Sequence, residues 1–139
     1  MLLLFDAVLV ILAIEDYQKR TISNRYSIII FILAMLTIPL GFGIGLWERV
    51  TGFFAVSVPM FLITWIRPGS FGGGDIKLVS SCGAFLGWRL LLRGTVCGIY
   101  LAGIYSVLLI LIKKEKKNVQ FALGPFLSAG YIFSSICLF

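Results

Sequence analysis

Six apolar segments, roughly 2–15, 26–46, 50–66, 76–90, 94–112 and 121–139, fill most of this chain of 139 residues. Only 13% of the residues are charged, 60% are hydrophobic and the mean hydropathy is +1.04. Soluble domains carry about 25% charged residues. In lipid every backbone N–H and C=O must be satisfied within the protein, so spanning segments are helices or closed barrels. The predicted class is all-α: a polytopic membrane protein with about six transmembrane helices, forming a single domain over 1–139.

Residues 76–112 are too long for one ordinary span, and the expected division is a turn near Arg93-Gly94. Pro39 and Pro59 fall within spans, whereas Pro68-Gly69 begins a loop. The N-terminal run has no basic flank before it and no small-residue cleavage site, so it reads as a span and not a signal peptide.

The basic residues divide unevenly among the loops. Lys19, Arg20, Arg25, Arg67, Lys77, Lys113, Lys114, Lys116 and Lys117 fall in the first, third and fifth, nine in all, against Arg49, Arg89 and Arg93 in the second and fourth. Lys and Arg gather on the cytosolic side, which places the odd-numbered loops there and both termini outside. A net charge of +6 spread this way suits anionic membrane lipid. With no basic face or aromatic-basic module, nucleic acid is not an expected partner.

Against this background FGGGDIKL, residues 71–78, stands out. Its Asp75 begins the fourth span, and Asp16 ends the first. Two intervening spans bring both acids to the same side at similar depth. Charge near membrane depth is costly and marks function by default. Each acid also has a plain structural reading. Asp75 would serve as a helix N-cap, and Asp16 would pair with Arg20 at i, i+4. The shared face of the pair favours function, and Gly72, Gly73 and Gly74 would let backbone approach closely or adopt unusual dihedrals beside Asp75. Lys77 either snorkels to the interface, holds substrate backbone or tunes the acid. Glu15 and Asp6 read as solvated interfacial acids. Gly124-Pro125 reads as a kink in the last span, and Ser80 and Ser81 as packing residues. Tyr26 and the three Trp fit interfacial belts.

There is no His in the chain, which removes His-based triads. Cys82, Cys97 and Cys137 form no CxxC pair and read as small hydrophobes, so neither a metal site nor a cofactor is expected. Two adjacent aspartates share one proton. One then draws a proton from water while the other donates one to the reacting group.

DYQKRTISN from Asp16, FGGGDIKL around Asp75 and GPFLSAG at 124–130 together resemble, in the same order, the motifs of the type IV prepilin peptidases, which are GxGD membrane aspartyl proteases. Ser23 departs from the Pro that this family often carries there. The resemblance implies catalysis by Asp16 and Asp75, with Gly72, Gly74 and Lys77 supporting the active-site loop. It also implies removal of a short basic leader from type IV pilin-like precursors at the cytosolic face of the inner or plasma membrane, by cleavage after Gly and before an apolar stem. Bifunctional members add a domain that methylates the new N-terminus; the likeness here is to the short, peptidase-only form without methyltransferase activity. Archaeal preflagellin peptidases are close relatives. From other classes, a small ion-coupled transporter or channel would use membrane acids, though its site would lie near the midplane. A non-catalytic secretion scaffold would tolerate Asn at both acids.

Overall fold

A computed structural model describes residues 2–19, 24–41, 43–69, 72–113 and 124–137. Every regular element among them is a helix: α1 (Leu2–Lys19), α2 (Asn24–Leu36), α3 (Leu46–Ala55), α4 (Ser57–Ile66), α5 (Gly73–Lys113) and α6 (Gly124–Ile136). Arg20, Ser23, Lys114, Lys116 and Lys117, all used in the sequence reading, lie outside the described residues.

Two of the expected segments break where proline dictates. The segment expected over 26–46 is helical only to Leu36. Pro39 disfavours helical backbone at the residue before it, and Gly41 and Gly43 follow with φ of 65° and 71°. Pro59 cannot donate to the Ala55 carbonyl and crowds it, and α3 gives way to α4 at Val56. Together they make an apolar run, Leu46–Ile66, long enough to cross a membrane, as Gly73–Ile112 also is. Trp47 and Trp65, both well exposed, mark the two ends of the first run. They are separated by about 27 Å of helical rise, close to a bilayer's hydrocarbon thickness.

The division of 76–112 is real, but it falls at Gly87 and not at Arg93-Gly94, which are helical. Gly87 has φ 79° and ψ 166°, a backbone state open to glycine and costly for other residues. There α5 folds back on itself. A Cβ at Gly83 would meet the Leu91 side chain at 2.9 Å; in a straight helix these residues lie about 12 Å apart along the axis. The arms 73–86 and 88–113 are therefore antiparallel.

Glycines let the other helices seat against this hairpin. Gly52 of α3 and Gly83 touch backbone to backbone, as do Gly130 of α6 and Gly94. The register of the remaining helices follows from polar contacts. Ser134 Oγ donates to the Leu90 carbonyl at 2.7 Å, and Gly98 abuts Leu127, so α6 runs antiparallel to the second arm. Ser135 Oγ donates to Asp6 Oδ1 at 2.7 Å, and Gly124 lies against Asp16, so α6 is also antiparallel to α1. Asp6 is thus a bonded, half-buried acid and not the solvated one expected.

Arg49 corrects the sequence reading most sharply. Expected in an outer loop, it is 4% exposed inside the fold. Its Nη1 donates to the carbonyls of Ala34 (3.0 Å) and Ala84 (3.3 Å) and to Thr37 Oγ1 (2.7 Å). Those carbonyls sit at the end of α2 and just before the Gly87 break, where helical partners run out. The guanidinium donates to both, and Thr37 Oγ1 also donates to the Ala34 carbonyl at 2.7 Å.

Around this framework many large apolar side chains face outward, including Leu3, Ile66, Val96, Leu111 and Ile112. Such a surface suits lipid better than water.

Candidate active site

Asp16 and Asp75 meet at one end of the bundle. Asp16, in the last turn of α1, is 4% exposed, unusual for an ionisable side chain. Its burial follows from the antiparallel packing of α1 on α6, which sets the Gly124 backbone N–H against its carboxylate at the positive end of the α6 dipole. Its Oδ2 has no hydrogen-bond partner among the described residues.

Asp75 lies in the first turn of α5, half-buried. It is not the N-cap. Gly72 holds that place, its carbonyl accepting from the Asp75 N–H at 3.1 Å and the Ile76 N–H at 3.3 Å. The Asp75 carboxylate reaches back to the Gly72 N–H, as the acid of a capping box does. Gly73 and Gly74 are already helical, so the unusual backbone expected of them is absent. A Cβ at Gly72 would stand 3.4 Å from Asp75 Oδ2, an ordinary contact, and one at Gly73 would meet nothing within 4 Å.

The two carboxylates interact electrostatically, although α1 and α5 nowhere bring Cα atoms within 8 Å. They meet across a gap. Farther in, the stacked rings of Phe5 and Phe85, with centroids 4.2 Å apart, bridge the same two helices.

The mouth of the gap is polar. Tyr26 OH donates to Glu15 Oε2, and Lys19 Nζ lies 3.2 Å from Glu15 Oε1. Glu15 therefore ties α1 to α2, where the sequence suggested a free solvated acid. Lys77 is exposed, and its Nζ donates to Asn24 Oδ1 of α2 at 3.2 Å. Ser80 and Ser81 donate to carbonyls one turn back, at Ile76 and Lys77, as packing residues do. Gly124-Pro125 opens α6 instead of kinking it, proline being at home in a first turn. Asn24 and Gly124 belong to the DYQKRTISN and GPFLSAG segments singled out in the sequence, whereas nothing in the sequence marked Tyr26 as the partner of Glu15, because it arrives from another helix. Among the described residues no three Cys, Asp or Glu gather into a group able to hold a metal ion.

The model of the type IV leader peptidase family matches residues 3–112. The chain belongs to that family. It is 31% identical over 134 residues to the prepilin leader peptidase/N-methyltransferase of Bacillus subtilis, covering 92% of this chain and 52% of the relative. Enzymes of the same name from Aeromonas salmonicida and Pectobacterium carotovorum are 28% and 26% identical, covering 94% and 92% of this chain and 47% and 48% of theirs. The chain thus spans about half the length of the curated relatives it matches. No solved structure matches it.

Proposed function

We propose that this chain is an aspartic endopeptidase that removes the leader from type IV pilin-like precursors at the cytosolic membrane face. The observation that carries the reading is the approach of Asp16 and Asp75 across the α1–α5 gap. Family membership supports the choice of substrate, since the relatives are named for prepilin leader cleavage.

The chemistry needs only these two groups and water. Sharing one proton, the pair holds one carboxylate ionised and the other protonated. The ionised carboxylate takes a proton from water as the water oxygen attacks the scissile carbonyl carbon. The protonated partner gives its proton to the carbonyl oxygen. When the tetrahedral intermediate collapses, the C–N bond breaks. The departing amine leaves with a proton returned by the first carboxylate, and the second recovers its own. Gly72 and Gly74 set the start of α5, and hence the aim of Asp75; Lys77 braces that turn against α2 through Asn24.

In the membrane, α1, α2, the α3–α4 run, each arm of α5 and α6 would make about six crossings of one domain. Lys19, Arg25, Arg67 and Lys77 cluster toward the aspartate end, the pattern of a cytosolic face. The test is co-expression with a precursor bearing a basic leader, a glycine junction and an apolar stem. Leader removal by the unsubstituted chain, lost in Asp16→Asn, supports the reading; an unprocessed precursor overturns it.

A further inference from the structure

Most buried hydroxyls on the described helices are paired, and two are not: Ser27 on α2 and Ser128 on α6. Ser80, Ser81 and Thr95 each donate to the carbonyl one turn back. Ser134 donates across to Leu90, and Ser135 to Asp6. Ser128 is 0% exposed, yet its Oγ has no partner among the described residues. A buried donor left unpaired carries a free-energy cost, so its persistence calls for a reason.

Its position on α6 supplies one. Gly124, Ser128 and Ser135 fall at i, i+4 and i+11, which is a single helical stripe. Both ends of that stripe touch α1, Gly124 at Asp16 and Ser135 at Asp6. Ser128 therefore faces α1 between the two acids, one turn inward from Gly124. Helical side chains lean toward their own N-terminus. Because α1 and α6 are antiparallel, Ser128 leans toward the level of Asp16 and Asp16 leans toward the level of Ser128. Of the other two unpaired buried oxygens among the described residues, Ser27 Oγ is on α2 and Asp16 Oδ2 is on α1, the helix that Ser128 faces.

We propose that Ser128 is a positioning residue for Asp16, its hydroxyl donating to the carboxylate's outer oxygen while substrate is bound. This rests on the peptidase reading above. A carboxylate held by the Gly124 N–H on one side and the Ser128 O–H on the other has its plane fixed, leaving one oxygen aimed across the gap at the attacking water and Asp75. Ser128 itself touches neither substrate nor water.

The test is steady-state cleavage of the leader-bearing precursor by the full chain in detergent, with thermal unfolding of each variant. Ser128→Ala should lower kcat about tenfold with KM changed by less than about twofold, as expected for a hydrogen bond to a charged group made in the transition state. Its unfolding midpoint should hold or rise, since an unpaired buried hydroxyl is removed. Ser128→Thr, which keeps the hydroxyl, should recover most of kcat. Ser135→Ala, on the same stripe, should instead lower the midpoint and spare kcat. A Ser128→Ala variant with unsubstituted kcat, or one whose loss tracks a lowered midpoint and is not recovered by Thr, overturns the inference while leaving the peptidase reading intact. If the unsubstituted chain leaves the precursor uncut, the peptidase reading falls and this inference falls with it.

Discussion

The carboxylates of Asp16 and Asp75 interact although the helices that carry them never bring Cα atoms within 8 Å. The interaction runs between side chains and not between packed backbones, so the pair depends on how the neighbouring helices space α1 from α5. Two of those spacers, α2 and α6, touch both partners.

That dependence predicts a role for Tyr26. Its hydroxyl bonded to Glu15 pins α1 to α2 one residue from Asp16. Tyr26→Phe should cost about 1 kcal/mol of stability, the net value of one such bond, and lower cleavage more than expression. Glu15→Gln keeps an acceptor and should retain most activity. The check is leader cleavage beside a detergent melt for both variants; full activity in Tyr26→Phe would show that the α1–α2 tie does not matter to the site.

Arg49 predicts the largest loss of stability. Removing the guanidinium strands the Ala84 carbonyl in the interior and leaves the Ala34 carbonyl only its bond from Thr37 Oγ1. Arg49→Leu should destabilise by about 3 kcal/mol, seen as a lower unfolding midpoint in detergent. A midpoint within error of the unsubstituted chain would mean that those carbonyls find other donors.

Much of this fold was legible in the sequence. The apolar runs marked where helices lie, and counting spans placed both acids at one end. Gly72–Asp75 was legible as a special turn, though not its form. Three glycines suggested unusual dihedrals, whereas the left-handed glycines near that loop and at the α5 reversal are Gly69 and Gly87. A single Gly in an apolar run gives no outward sign that the chain reverses there; the cause is tertiary, since Gly52 packs against that bend. Arg49 was misread for the same reason. A lone Arg beside an apolar run looks like a loop residue until α2 and α5 offer it carbonyls. Charge counting cannot see hydrogen-bond acceptors on distant helices.

The glycines themselves separate by available space. A Cβ at Gly130 would collide with the backbone of Gly94 and Gly98, whereas one at Gly103 meets nothing within 4 Å. Gly130→Ala should destabilise by about 1–3 kcal/mol through overpacking. Gly103→Ala should gain up to about 1 kcal/mol of helix propensity. At the site, Gly73→Ala should cleave normally, while Gly72→Val presses on the Asp75 carboxylate and should lower kcat. Melting and kinetics of the four variants check the ordering; a harmless Gly72→Val would make that residue a spacer.

Cys137 and Cys82 report on topology. Cys137 is exposed at the end of α6 far from Gly124, and Cys82 is buried. In intact cells an impermeant maleimide should label Cys137 from outside, and Cys82 should resist until the protein unfolds. Leader cleavage should survive the labelling, since no thiol enters the chemistry. Labelling of Cys137 only after permeabilisation would invert the proposed orientation.

The most direct measurement is leader cleavage by Asp16→Asn and Asp75→Asn, each purified in detergent with its melt recorded beside the unsubstituted chain. Asn preserves shape while removing the carboxylate that accepts or donates the proton. If the two acids form the catalytic pair, each variant folds and neither cleaves, a loss of at least about a thousandfold for removal of an essential acid or base. Near-normal cleavage by either folded variant would contradict the account.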